Sequence, residues 1–196
     1  GKYGGIWHYN ENYSGLLIGY DVVISGNIIE NTRDHAIMTH KTLAKIFNNK
    51  IRSFQNGLAI KNQNTTDKIY NNYVQCDGSL PAIGISVRSR FDEQDIAHNV
   101  EIYHNNVWIE TTDNANGIGL EIANGSNHLV KNNIFYNSEG GLGAAFNYQN
   151  SGSNLDYNNY YTSGNSIASW NGEALNTLSD LATASGQESH SLSVNP

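Results

Sequence analysis

Three observations in the 196-residue sequence predict an all-β solenoid of stacked parallel strands. The first is an internal repeat, apolar-x-x-Asn-x-apolar. It occurs at Ile24/Asn27/Ile29, Ile46/Asn49/Ile51, Ile69/Asn72/Val74, Ile102/Asn105/Val107, Val130/Asn133/Phe135 and Leu155/Asn158/Tyr160. The asparagines are separated by 22, 23, 33, 28 and 25 residues, so each repeat is one coil and insertions fall in loops. The second is a companion motif that alternates with the asparagines: Gly15-Leu-Leu-Ile before the first, then His35-Ala-Ile-Met, Gly57-Leu-Ala-Ile, Gly84-Ile-Ser-Val, Gly117-Ile-Gly-Leu and Gly141-Leu-Gly-Ala. The third is composition. There are 30 Asn and 19 Gly, and Ile plus Val number 27 against 13 Leu, a mixture poor in helix formers and rich in strand and turn residues.

Each coil holds at least two short strands, and none can bury its apolar face alone. Stacking at about 4.8 Å lines equivalent residues into columns and makes one continuous core. An Asn at a sharp turn tolerates positive φ, and an inward amide can donate and accept between coils, so the asparagines are expected to form a ladder. After the last repeat, Leu178, Leu181 and Ala182 form a helical pattern that Asn176 or Thr177 could cap and Gly186 could stop. This helix is expected to cover the open edge of the last coil.

The strings IYNNYV, IYHNNV and VKNNIF, within about residues 15–161, resemble the right-handed parallel β-helix proteins of the pectate-lyase-like superfamily. The tail over 162–196, with Trp170-Asn-Gly-Glu and SGQESHSLSVNP, resembles the closing segment of secreted bacterial members. The resemblance implies a single domain over 1–196, a right-handed single-stranded parallel β-helix of six to seven coils with a short helical tail cap. It also implies a secreted or surface location, and further coils and tail beyond the two ends of this sequence.

The net charge of -7 disfavours nucleic acid and anionic membranes as partners, and no apolar run reaches the roughly 20 residues of a membrane helix. No basic-then-apolar leader opens the chain. The lone Cys76 excludes a disulfide framework and reads as a small apolar filler.

Alternation with Leu58 and Ile60 inward turns Ala59, Lys61 and Gln63 outward. Registering the other coils on their companion motifs gives an outward column of Gly19, Thr39, Lys61, Arg88, Glu121 and Ala145, with Lys41, Gln63 and Arg90 in the next. A cation pair on neighbouring coils suits β-elimination on an acidic polysaccharide: one group neutralises the uronate carboxylate and a base removes the C5 proton. Lys61 is the candidate base and Arg88 the carboxylate partner. GLAIKN and GISVRSR resemble the lysine and arginine on neighbouring coils of alginate-lyase and chondroitinase-B type polysaccharide lyases. Lys41, Gln63, Arg90 and Glu121, with the aromatic Tyr103 and Trp108 as stacking platforms, are the expected substrate-binding residues.

Calcium is the one cofactor considered, because Phe91-Asp92-Glu93-Gln94-Asp95 offers three carboxylates, although their spacing follows no calcium-loop pattern. Asp34, His35 and His40 form a small titratable cluster in which His35 reads as a packed or edge residue. The R-x-P-x-x-R segment of classical pectate lyases and the G-H-G and R-I-K segments of polygalacturonases are missing. The alternative reading is a non-catalytic segment: an adhesin, a stalk or a glycan-binding module.

Overall fold

The computed structural model describes residues 6–9, 21–55, 57–63, 66–88, 97–111, 117–147 and 152–196. After a lone strand β1 (Ile6–Tyr9) come six coils of three strands each. They are β2 (Asp21–Ser25), β3 (Ile28–Glu30) and β4 (Asp34–His40); β5 (Leu43–Phe47), β6 (Lys50–Phe54) and β7 (Gly57–Gln63); β8 (Lys68–Tyr70), β9 (Tyr73–Cys76) and β10 (Ala82–Arg88); β11 (Glu101–Tyr103), β12 (Asn106–Ile109) and β13 (Ile118–Ile122); β14 (Leu129–Lys131), β15 (Ile134–Asn137) and β16 (Leu142–Phe146); and β17 (Asn154–Asp156), β18 (Asn159–Thr162) and β19 (Ala168–Trp170). Equivalent strands of successive coils pair in parallel and build three sheets. Sheet A is β1-β4-β7-β10-β13-β16-β19, sheet B runs from β2 to β17, and sheet C runs from β3 to β18. The protein is a parallel β-solenoid, as the repeats predict.

Three inward columns fill the coil interior. Sheet B contributes Ile24, Ile46, Ile69, Ile102, Val130 and Leu155; sheet C contributes Ile29, Ile51, Val74, Val107, Phe135 and Tyr160; sheet A contributes Ile37, Ile60, Ile85, Leu120, Ala144 and Ala168. All are buried, and branched side chains predominate because they pack well on pleated strands. Cys76 lies in the same core, where burial pushes its thiol far above the usual range. Among the described residues no helix is long and apolar enough to cross a membrane.

The six repeat asparagines form the expected ladder. The backbone N–H and Nδ2 of Asn49 both donate to Oδ1 of Asn72, at 3.1 and 3.0 Å, and Nδ2 also donates to the Ile24 carbonyl at 2.9 Å. The same pattern joins Asn27 to Asn49, Asn72 to Asn105, Asn105 to Asn133 and Asn133 to Asn158. The positive φ falls on the residue before each ladder position and not on the ladder Asn itself: Gly26, Asn48, Asn71, His104, Asn132 and Tyr157, at 52–69°. One residue absorbs the left-handed turn, which leaves its neighbour free to point inward.

Sheet A departs from simple alternation at one small residue per strand. Ala59 and Ile60 are consecutive and both lie in the core, whereas Leu58 is only half-buried. The ladder pairs Leu58 with Ile83 and Ile60 with Ile85 but skips Ala59 and Gly84. A Cβ on Gly84 would lie 2.2 Å from Cγ1 of Val107, and one on Gly119 would lie 3.0 Å from Cβ of Phe135. Sheet C side chains reach across the narrow core here, so this column holds only Ala36, Ala59, Gly84, Gly119 and Gly143 through the first five coils.

At the C-terminal end β20 (Glu173–Leu175) folds back antiparallel on β19, and α1 (Leu178–Ser185) packs against both. Thr177 caps α1 through a capping box with Asp180, and Gly186 ends it at φ 69°. The helix therefore closes sheet A only. The ends of sheets B and C are closed by the segment after Gly186: Glu188 N–H donates to the Leu155 carbonyl at 3.0 Å and Leu192 N–H to the Asn158 carbonyl at 2.7 Å. Ser191 Oγ accepts from Asn158 N–H at 2.8 Å, taking the place of a seventh asparagine. The carboxylate of Glu188, itself buried, accepts from Tyr160 Oη at 2.7 Å, from Ser191 Oγ and from Asn158 Nδ2.

Candidate functional site

The outward column expected on sheet A needs correction. The observed register sets Met38, Lys61, Ser86, Glu121 and Ala145 in line, while Arg88 lines up with Gln63 and His40. The reason lies in the glycines. Gly57 matches Ala82, so Gly84 is the small bend residue and not the strand start, and aligning the two glycines displaces Arg88 by two positions. A two-residue slip keeps the face, so Arg88 still points outward. Thr39 is displaced by one residue, which reverses the face, and it is fully buried.

Lys61 and Arg88 thus lie on neighbouring coils but not in one column. Lys61, half-buried, places Nζ 3.4 Å from Nε2 of His35, which in turn lies 3.8 Å from an Asp34 carboxylate oxygen. Burial, and then the Lys61 charge, hold the His35 pKa below the ordinary histidine value, against the weaker opposing pull of Asp34. His35 is therefore neutral at pH 7 and accepts from the ammonium. The sequence reading of His35 as a packing residue missed this contact; His35 precedes Lys61 by 26 residues, about one coil, and only the register reveals the pairing.

Arg88 is held differently. Its Nη2 and Nε both donate to Oε2 of Glu121, Nε at 3.1 Å, and Nε also reaches Ser86 Oγ at 3.0 Å. Ser86 Oγ donates to the same carboxylate at 2.6 Å. Glu121, at 9% exposure, has its carboxylate compensated by one guanidinium and one hydroxyl. The guanidinium side chain remains 26% exposed, and Nη1 makes none of these bonds.

The remaining expected residues are dispersed. Lys41 forms the left-handed turn after β4 at φ 52°, its N–H donating to the Gln63 carbonyl, and Gln63 is buried beside Arg88 in the register. Tyr103 lies on sheet B, in a ring stack with Tyr70 and Phe47 at 4.9 Å spacing. Trp108 lies on sheet C, 4.4 Å from the Tyr136 ring. The structure does not bring either aromatic to the Lys61 row. Arg90 and the carboxylates of 91–95 considered for calcium lie outside the described residues. Among the described residues no group of three or more His, Cys, Asp and Glu side chains is placed to hold a metal ion.

A second internal ladder went unread in the sequence. Where sheet A hands over to sheet B, Asp67 accepts from Ala44 N–H at 2.7 Å and from Thr39 Oγ1 at 2.5 Å. Two coils on, His128 Nδ1 accepts from Val100 N–H at 3.3 Å and Ser153 Oγ accepts from His128 N–H at 3.0 Å. Burial brings the His128 pKa down to about 4, which keeps the imidazole a neutral acceptor. Three residue types perform one task here, so no repeated letter marks the column.

Taken together these features define a parallel β-solenoid with an internal amide ladder and an outer wall on sheet A that carries the contacts of Lys61 with His35 and of Arg88 with Glu121 and Ser86. Comparison with protein-family models, with curated proteins and with solved structures finds no match to this chain.

Proposed function

We propose that this chain is a secreted or cell-surface carbohydrate-active protein of the pectate-lyase-like β-helix kind, which binds an acidic polysaccharide along the outer wall of sheet A and cleaves it by β-elimination. The observation that supports this reading best is a lysine ammonium held against a neutral imidazole, with a guanidinium that is about a quarter exposed one coil away. Elimination needs a group that takes the C5 proton and a cation that stabilises the charge developing on the uronate carboxylate. Desolvation by a bound chain drives one ammonium proton of Lys61 to water, the neutral amine then takes the C5 proton, and His35 orients Nζ by accepting a hydrogen bond from it. Arg88 offers Nη1 to the carboxylate while Glu121 holds the rest of the guanidinium in place. The C5–H pair then forms the C4=C5 double bond, and the C4–O bond breaks with its electron pair leaving on the glycosidic oxygen.

The test is the ultraviolet absorbance of the unsaturated product on alginate, pectate and chondroitin, with and without calcium. Lys61→Ala and Arg88→Ala are each expected to lower the rate at least a hundredfold. No absorbance rise on any polymer, from folded protein, removes the catalytic reading. The second reading, a non-catalytic glycan-binding wall, is favoured by the engagement of Arg88 with Glu121 and Ser86, since a satisfied ion pair is also a structural one. Retention on immobilised uronate polymer without turnover would select it.

A further inference from the structure

The outer face of sheet C carries an aromatic column that the chemistry of sheet A does not use. Trp108, Tyr136 and Tyr161 stand in register on successive coils. The two tyrosine rings lie 5.3 Å apart and nearly parallel, at 7°. The indole is tilted 44° from Tyr136, so part of its face turns out of the stack. All three are only partly buried. The apolar strip continues past Tyr161 onto the closing segment, where Leu192 and Val194 are 55% and 52% exposed; Leu192 lies opposite Asn159 through bonds to Asn158 and Tyr160, and Val194 bonds to the Asn159 side chain.

Polar groups flank the indole on its own strand. Asn106, Trp108 and Glu110 share one face by alternation, with Val107 and Ile109 buried between them. Glu110 accepts from Nε2 of Gln75, the residue in register with Trp108 on the preceding coil. An amide on one side, a carboxylate and a second amide on the other, and an aromatic surface between them is the composition of a site for a ring that is apolar on its faces and hydroxylated at its rim. Charge selects the kind of sugar. The groups beside Trp108 are Asn106, Gln75 and the anionic Glu110, and the guanidinium of Arg52, further along the sheet, is tied to Glu30 at 2.8 Å. A uronate would meet the Glu110 carboxylate beside Trp108, while the exposed Lys50 lies two coils from Asn106, over the Tyr73 ring at 5.5 Å.

The geometry points to a second glycan-binding face on sheet C, in which a neutral polysaccharide runs parallel to the solenoid axis, stacking on the turned-out part of the Trp108 indole and passing along the ring edges of Tyr136 and Tyr161, with its hydroxyls on Asn106, Gln75 and Glu110. This face is independent of the Lys61 wall and of whether that wall is catalytic.

The test is a titration of the intact protein with neutral hexasaccharides (cello-, xylo- and mannohexaose) and with a hexa-uronate, read by tryptophan fluorescence and by calorimetry. At least one neutral hexasaccharide is expected to bind more tightly than the uronate at this face. Trp108→Ala should weaken that binding about tenfold or more, and Trp108→Leu, which keeps apolar bulk for folding, should do the same. Tyr70→Ala, in the ring stack of sheet B, should leave it unchanged. Absence of binding by every neutral hexasaccharide at millimolar concentration overturns the proposal. So does binding that survives Trp108→Leu, or a preference for the uronate that depends on Trp108. Self-association of the wild type that Trp108→Leu dissolves also overturns it and assigns the strip to protein contact.

Discussion

The inward asparagine column and the outward column through Lys61 obey the same register at the same spacing, yet one repeats a single residue six times and the other repeats none. Met38, Lys61, Ser86, Glu121 and Ala145 follow one another on the wall, whereas Asn27 to Asn158 never vary. The turn accounts for the difference. Inside, each amide accepts from two donors of the preceding coil at a repeated turn, where water cannot substitute for it. On the outward column Ser86 and Glu121 are themselves buried and are satisfied by each other and by Arg88, so its members answer to local partners and not to a repeated turn.

The strongest way to break this comparison is Asn105→Ala. It removes the acceptor of Asn72 N–H and Nδ2 and the Nδ2 donor to Asn133 and the Ile69 carbonyl. A loss of about 3 kcal/mol or more is expected, read from the urea midpoint. A loss under about 1 kcal/mol would mean that the ladder ornaments the core and does not hold it. Next comes Gly84→Ala, whose new methyl meets Val107 and should cost about 1–3 kcal/mol. Combined with Val107→Ala, the cost should fall below the sum of the two single changes, and strict additivity would contradict the contact.

The closing segment sharpens the comparison through pH. Burial raises the Glu188 pKa above the ordinary value, outweighing the bonds from Ser191, Tyr160 and Asn158. A raised carboxyl pKa contributes stability that is present below the unfolded value and is lost as pH rises through the folded one. From about pH 4 to about pH 7 the wild type should therefore lose stability relative to Glu188→Gln, and parallel melting curves across that range would refute it. The smallest effect belongs to the outer surface. Lys68→Ala breaks a 2.8 Å pair with Glu101 that lies in solvent, and its cost should stay below about 0.5 kcal/mol by denaturant titration.

Most of the fold was readable because its rules are periodic. The asparagines identify every coil, and the capping pattern from Thr177 to Gly186 describes α1 without reference to the rest of the chain. The site was less readable because it depends on register, and register here hinges on one bend. Gly57 and Gly84 look alike as letters but do different work, one at a left-handed strand start of φ 101° and the other where Val107 leaves no room for a Cβ. Confusing them moved Arg88 into the wrong column and concealed Ser86. Tyr103 and Trp108 were read as substrate-stacking platforms, but which of three sheets an aromatic occupies follows from the strand order within each coil, which composition does not record. The contact between His35 and Lys61, and the mixed column of Asp67, His128 and Ser153, have no repeated spelling to find.

The turn between sheets B and C is two residues long in all six coils, from Gly26-Asn27 to Tyr157-Asn158. Apart from one extra residue within β6 between Ile51 and Phe54, the variation in coil length falls on the other two corners, where connections range from 2 to 12 residues and the longest leads out of β10 directly after Arg88. One corner of the solenoid is thus a spine that admits no insertion, because an extra residue there would carry its amide out of the ladder. Both corners that bound sheet A are open to growth. A lineage built on this frame can change what it recognises by lengthening the margins of a single wall while the axis, the pitch and the core stay as they are.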